Sequence, residues 1–211
     1  MARSFVVALA GASGSAYGIR LIGALLGLGH DVEMIVSPTA KLIAEDEIGL
    51  DIEGPDAEVA GKVMDFIGPA IGDEDHGTLS YYPSDLITAP LSSGSALRRT
   101  MVICPSSMGT IGRIASGVSF NLIDRSADCV LKEKGELVLV PRETPLNAIH
   151  LENLLKLSRA GATIVPAMPA FYNKPATIDD MVDFMVGKVL DILGVENSLF
   201  KRWEGDGGGK G

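Results

Sequence analysis

Short apolar, β-branched runs alternate along the chain with longer stretches whose apolar positions recur every three or four residues, the pattern of repeated strand–helix–strand units. Residues 4–10 read as a buried first strand, 17–28 as a helix and 31–36 as a second strand. Further strands are predicted at 101–104, 137–140 and 163–165, and helices at 38–47, 110–115, 121–134, 148–159 and 178–193. Continuous apolar strands separated by amphipathic helices require a sheet covered on both faces. The expected fold is therefore α/β, a three-layer, Rossmann-like (flavodoxin-like), doubly wound and mostly parallel sheet. Residues 51–83 are less periodic and richer in acids and glycine, and read as the variable part of the domain. No repeat and no linker divides the chain, so one domain is expected over 1–203, with 204–211 a flexible glycine-rich tail.

Composition narrows the class. With 211 residues, 46% hydrophobic and 21% charged, the chain has enough apolar sequence for a sizeable core, which excludes disorder and fibrous repeats. Eighteen basic residues against 27 acidic ones leave a net charge of −9, which argues against nucleic acid or an anionic membrane as partner. An anionic ligand must therefore find a local basic pocket. Cys104 and Cys129 sit in apolar or helical sequence without metal-ligand spacing, so neither a disulfide framework nor a zinc site is expected, and the compartment reads as cytoplasm. The first apolar run is short and passes into a Gly/Ser turn, as a buried strand does and a cleaved leader does not. No run of about 18 apolar residues is present to span a membrane.

The candidate chemistry sits where strands end. Gly11-Ala12-Ser13-Gly14 follows the first strand and opens a helix, where small residues let backbone N–H groups approach an anionic or polar ligand. The pattern is not GxGxxG, and Ser37-Pro38-Thr39 after the second strand lacks the acid that holds an adenosine ribose, so a mononucleotide fits better than a nicotinamide dinucleotide. Pro105-Ser106-Ser107-Met108-Gly109-Thr110 is a second small-residue turn, a phosphate cradle by composition, although a serine there also serves as a helix cap. The segment from Ala89 to Ser95 adds a third Ser/Gly loop. Arg125 and Lys132, seven apart, share one helix face, and Val140-Pro141-Arg142-Glu143-Thr144-Pro145 fixes an Arg and a Glu between prolines at a strand end. His150 reads as a hydrogen-bond partner at a helix start. Asp179-Asp180-Met181-Val182-Asp183 imitates a DDxxD magnesium motif, but Thr177 followed by acids is an ordinary N-terminus. Pro169-Ala170-Phe171-Tyr172 suits an apolar wall with one polar tip.

Taken together, GASGSAYG, ITAPLSSGS, CPSSMGTIGRIASG, NLIDRSADCVLKE, LVLVPRETPLNAIHLENLLKLSRAGA and PAFYNKP resemble the UbiX-type flavin prenyltransferases over nearly the whole chain. Only residues 51–76 lack a clear counterpart. The resemblance implies an enzyme that makes prenylated FMN from reduced FMN and dimethylallyl monophosphate for a separate UbiD-type decarboxylase, and that assembles as a homododecamer with sites at subunit interfaces. It implies flavin contacts from Gly11, Ala12, Ser13, Ser37, Ser107, Met108, Gly109, Thr110 and Arg142. Arg125, Lys132, Tyr172 and Lys188 would surround the prenyl phosphate, and Glu143, Ser13 and Glu47 would handle protons. Trp203 matches the family's terminal segment. The chain departs from the common pattern at Ser106 for Cys, Gly109 for Lys, Lys188 for Arg and Ile87 for an aromatic; Lys188 keeps charge but loses bidentate geometry.

The implied reaction joins the prenyl group to flavin N5 and then C6, closing a fourth ring. A cationic cluster with a phenol would stabilise charge on the departing phosphate, so no metal is required. Two other readings compete: a flavin-dependent cysteine decarboxylase of the related fold, and a non-catalytic FMN carrier or accessory subunit. The first calls for a PASANT-like turn and a catalytic His where this chain has PSSMGT; the second leaves Arg142-Glu143 without a purpose.

Overall fold

The structure, a computed structural model, describes residues 2–71, 76–93 and 99–202. The chain forms β1 (Ser4–Leu9), α1 (Ser15–Gly27), β2 (Asp31–Val36), α2 (Pro38–Ile48), α3 (Asp56–Ile71), β3 (Leu79–Pro83), β4 (Thr100–Ser106), α4 (Met108–Ala115), α5 (Leu122–Lys132), β5 (Glu136–Pro141), α6 (Ala148–Arg159), β6 (Thr163–Ile164) and α7 (Ile178–Ile192). All strand pairs are parallel, in the order β3-β2-β1-β4-β5-β6. That order is the Rossmann arrangement, and its topological switch point lies between β1 and β4. The expected doubly wound α/β fold is what the chain adopts.

Packing follows from the strand alternation. Val6, Ala8 and Ala10 of the first strand and its end join Met101 and Ile103 in a core with Ile111, Ile114, Leu122, Ala127 and Leu157 of α4, α5 and α6. Phe5, Val7 and Leu9 face the other way and are equally buried. Both faces of β1 are thus dry, which is why its sequence is uninterruptedly apolar.

Two elements lie where no regular pattern was expected. Residues 51–83 contain α3, whose period is blurred by Gly61, Gly68 and an internal Pro69, and β3, an edge strand whose residues are only partly buried. The chain divides into two compact units, Met1–Ala167 with the sheet and α1–α6, and Met168–Gly211 with α7. Ser95, Trp203 and the tail from 204 lie outside the described residues. No described helix is long and apolar enough to cross a membrane.

Candidate active site

In a parallel sheet the strand carboxyl ends share one edge, and here the loops that leave them are tied to one another. The Ala10 N–H donates to the Pro105 carbonyl at 3.1 Å, the Ser37 N–H to the Leu9 carbonyl at 3.0 Å, and the Arg142 N–H to the Ser106 carbonyl at 3.3 Å. The Arg142 Nε–H reaches the Ser13 carbonyl at 3.1 Å. Four of the loops singled out by the sequence are therefore one structure.

The turn between β1 and α1 is built around Gly14, the N-cap of α1, with φ of 108° and no side chain to cap with. The cap comes from Glu47, in the last turn of α2. Its Oε2 accepts from the N–H groups of Gly14 at 2.8 Å and Ser15 at 2.9 Å, and its Oε1 from Gly14 at 3.1 Å. Burial pushes the Glu47 pKa up, but hydrogen bonds from the Ser13 hydroxyl, the Gly14 and Ser15 N–H groups and the Ser15 hydroxyl outweigh it, and the net value falls below the ordinary 4.5. The positive end of α1, expected to meet an anionic ligand, is thus already filled by the chain's own carboxylate. Gly11 allows the same turn to sit on α2: a Cβ there would lie 2.7 Å from Thr39 Cβ.

The turn between β4 and α4 is differently arranged. Ser107 is the N-cap; its Oγ accepts from the Thr110 N–H at 3.3 Å and donates to Thr110 Oγ1 at 3.0 Å. Thr110 Oγ1 also accepts from Arg113 Nη2 at 3.1 Å, and Arg113 is paired with Asp124, whose side chain is fully buried, by bonds of 2.6 and 3.2 Å. The N–H groups of Met108 and Gly109, the first two of α4, receive no capping side chain. Just behind them Ser106 Oγ is buried with no hydrogen-bond partner. This helix end, unlike that of α1, retains donors for a ligand.

Arg142 and Glu143 stand at the end of β5. Glu143 is half-buried, with Oε1 accepting from the Thr144 N–H at 3.0 Å, ahead of a cis Thr144–Pro145 bond. Tyr17 packs its ring against Gly14; burial raises its pKa and the Cys104 thiol adds to this, while Arg142 offsets part of it. Ser37 caps α2, accepting from the Ala40 N–H at 3.2 Å, and keeps its own proton to donate.

The remaining candidates lie on α5 and in the second unit. Arg125 is paired with Asp128 at 3.2 Å and Lys132 with Glu133 at 3.4 Å, all of them exposed along α5. Their bonds are to helical neighbours, not to the loops above. Within the second unit, the Tyr172 ring meets Phe184 edge-on at 5.8 Å, Phe184 meets Phe200 at 5.1 Å, and Lys188 Nζ lies 5.9 Å from the Phe200 ring centre. Tyr172 and Lys188 are thus joined through two aromatic rings. A pocket of about 190 Å³ beside them is lined by Asn173, Lys174, Pro175, Asp180, Leu199, Phe200 and Lys201.

Two of the motifs are helix starts. His150 forms a capping box with Asn147. Asp180 accepts from the Ala176 and Thr177 N–H groups at 2.7 and 3.0 Å, and these bonds lower its pKa, so the DDxxD imitation is a helix start. Arg113, Asp124 and Ser15 were not singled out by the sequence. The spacing Ser107, Thr110, Arg113, one residue per turn of a capped helix, is the signal that could have found the first of them. Among the described residues no cluster of three or more His, Cys, Asp or Glu could hold a metal ion.

The same fold and much of the same sequence recur in known proteins. The Flavoprotein family model matches residues 2–190. A flavin prenyltransferase UbiX from Halalkalibacterium halodurans is 49% identical over 94% of this chain and 92% of its own length. The crystal structure of AnUbiX in complex with FMN and dimethylallyl pyrophosphate superposes with a TM-score of 0.82 at 38% identity, covering 97% of this chain and 99% of that one. A dodecameric FMN-dependent UbiX-like decarboxylase from Escherichia coli O157:H7 gives the same TM-score and identity over 96% of this chain and 100% of its own. The peptidyl-cysteine decarboxylase EpiD, at 16% identity and a TM-score of 0.53, shares the fold alone.

Proposed function

The chain belongs to the UbiX flavin prenyltransferases, and on that footing we propose that it joins a dimethylallyl group from dimethylallyl monophosphate to N5 and C6 of reduced FMN. The product, prenylated FMN, would be passed to a UbiD-type decarboxylase. Reduced flavin supplies the nucleophilic nitrogen and carbon; the protein's part is to bind, orient and stabilise charge. The observation that carries the reading is the tied set of strand-end loops, with the first two N–H groups of α4 left without a capping side chain and the buried, unpartnered Ser106 hydroxyl, in a chain so similar to named flavin prenyltransferases.

In this reading Gly11, Ala12 and Ser13, Ser37, Ser107 to Thr110 and Arg142 bind the flavin. Arg125 and Lys132, and in the second unit Tyr172 and Lys188, are ligands of the prenyl phosphate. Monophosphate is a poor leaving group, and cations and a phenol that bind it more strongly as the C–O bond breaks lower the barrier. Glu143 is the proton-transfer group for the proton lost at C6, with Ser13 as a relay. Glu47, held ionised by its donors, orients the Ser13 hydroxyl.

Exposed Phe120, Ile149, Leu151 and Leu155 support assembly into a homo-oligomer, which we take to be a dodecamer. The two free, buried cysteines accord with a reducing cytoplasm. The test is anaerobic incubation with reduced FMN and dimethylallyl monophosphate or diphosphate, followed by mass spectrometry of the extracted flavin. A gain of one prenyl unit is expected. Unmodified flavin with both donors refutes the proposal.

A further inference from the structure

The Arg113–Asp124 pair has no place in the function proposed above, yet Asp124 is fully shielded and Arg113 about two-thirds so. Pairing a buried charge is costly unless every bond is made. Here Asp124 accepts from Arg113 Nε and Nη2, and from the Phe120 N–H at 3.3 Å, while its own N–H donates to Asn121 Oδ1. The carboxylate fixes the guanidinium plane, and the plane directs Nη2 at Thr110 Oγ1, 3.1 Å away.

A hydroxyl has one proton and two acceptor positions. Thr110 Oγ1 accepts from Ser107 Oγ and from Arg113, so both acceptor positions are filled and its proton is left to donate. Donation by a cation also polarises the hydroxyl and makes it a stronger donor. Ser107, in turn, accepts from the Thr110 N–H. Arg113 thereby sets the proton arrangement of both hydroxyls in the first turn of α4. Its Nη1 lies beside the same turn, 3.8 Å from where a Cβ on Gly109 would be, an ordinary contact distance.

We propose that Arg113, anchored by Asp124, is a positioning residue for the flavin: it orders the Ser107–Thr110 turn and commits the Thr110 hydroxyl to donate to an acceptor atom of the flavin. The proposal rests on the reading of that turn as a flavin contact. Arg113 acts through Thr110, not on the reacting atoms.

The experiment measures FMN binding by fluorescence quenching, with thermal melting alongside, for Ser107→Ala, Thr110→Val, Arg113→Lys, Arg113→Met/Asp124→Asn, and the last combined with Thr110→Val. The double variant leaves no unpaired buried charge and keeps an acceptor for the Phe120 N–H. Arg113→Lys keeps the ion pair but cannot also reach Thr110 in the guanidinium's fixed geometry. Both are expected to bind FMN about tenfold more weakly, the size of one lost hydrogen bond. In the Thr110→Val background the same changes should cost less than about twofold, because the bond they remove is already absent. Undiminished FMN affinity in Arg113→Lys, or an equal loss with and without Thr110, overturns the positioning role. If Ser107→Ala and Thr110→Val themselves bind FMN like the unaltered protein, the turn is not a flavin contact, and the proposal falls with that reading. Should the double variant not fold, Arg113→Lys decides.

Discussion

Replacing Glu47 by Gln tests the claim that a carboxylate from α2 completes the start of α1. The substitution keeps the shape and one acceptor oxygen but removes the charge that faces the Gly14 and Ser15 N–H groups at 2.8 and 2.9 Å. Hydrogen bonds to a charged acceptor contribute about 1.5–3 kcal/mol against about 0.5–1.5 for neutral ones, and a charge at a helix N-terminus adds about 0.3–1 kcal/mol. Glu47 is exposed, so solvent screening discounts these figures. A loss of about 1–2 kcal/mol follows, or about 3–6 °C in melting temperature for a chain of this length. The assay is thermal melting of both proteins from pH 8 to about pH 3. Glu47 has a folded pKa below its unfolded one, so between the two values the unfolded chain binds more protons and stability rises with pH. The advantage of the unaltered protein should be complete and flat above the ordinary value of 4.5, and should shrink as pH falls through the lowered folded value. A gap that is absent at pH 7, or that changes between pH 8 and pH 6, would refute the reasoning; the latter would mean a carboxyl titrating near neutrality.

Other expectations follow from the same geometry. Gly11→Ala places a Cβ 2.7 Å from Thr39 Cβ, a rigid neighbour, and should destabilise by about 1–3 kcal/mol in chemical denaturation; a neutral result would mean the turn is loose. Ser106→Ala removes a buried hydroxyl that has no partner, so the flavin-free protein should melt at the same or a higher temperature, and a clear drop would show that the hydroxyl is satisfied. Cys104 is fully buried and burial pushes its thiol up to about 12, so alkylation at pH 8 should leave it unmodified in the folded protein, as peptide mass mapping would reveal. Lys188→Met should lower kcat/KM for the prenyl donor by about 10- to 100-fold and leave FMN affinity unchanged, with Lys188→Arg recovering most of it; loss of FMN binding instead would move Lys188 to the flavin.

The sequence was most legible where local chemistry and tertiary structure agree. β2 occupies residues 31–36 and α6 residues 148–159, as expected, because an apolar strand flanked by turns and a helix opened by Asn147 with His150 carry their own punctuation. α1 begins at Ser15, before the expected Tyr17, because its cap is Glu47, 33 residues away, and Gly14 gives no local sign of it. α4 begins at Met108 instead of Thr110 because Ser107 is the N-cap. β4 runs on through a cis Cys104–Pro105 bond to Ser106, past a proline that reads as a strand terminator. The flavin loops were legible from small residues at strand ends. The pairing of Arg113 with Asp124 was not, since each looks like an ordinary helical charge until α4 and α5 are packed together.

The bond from Glu47 to Gly14 also bears on the order in which the site takes shape. Every group in that turn, from the loop itself to its carboxylate, comes from the first 48 residues, within one β1-α1-β2-α2 segment. Closing so short a stretch costs little chain entropy, and contacts of low sequence separation favour early formation. During synthesis this corner can therefore be complete while β4, β5 and their loops are still to be made. The later strands are then added to a preformed edge: β4 pairs with β1, and the Arg142 Nε–H finds the Ser13 carbonyl, 129 residues back along the chain, already in place.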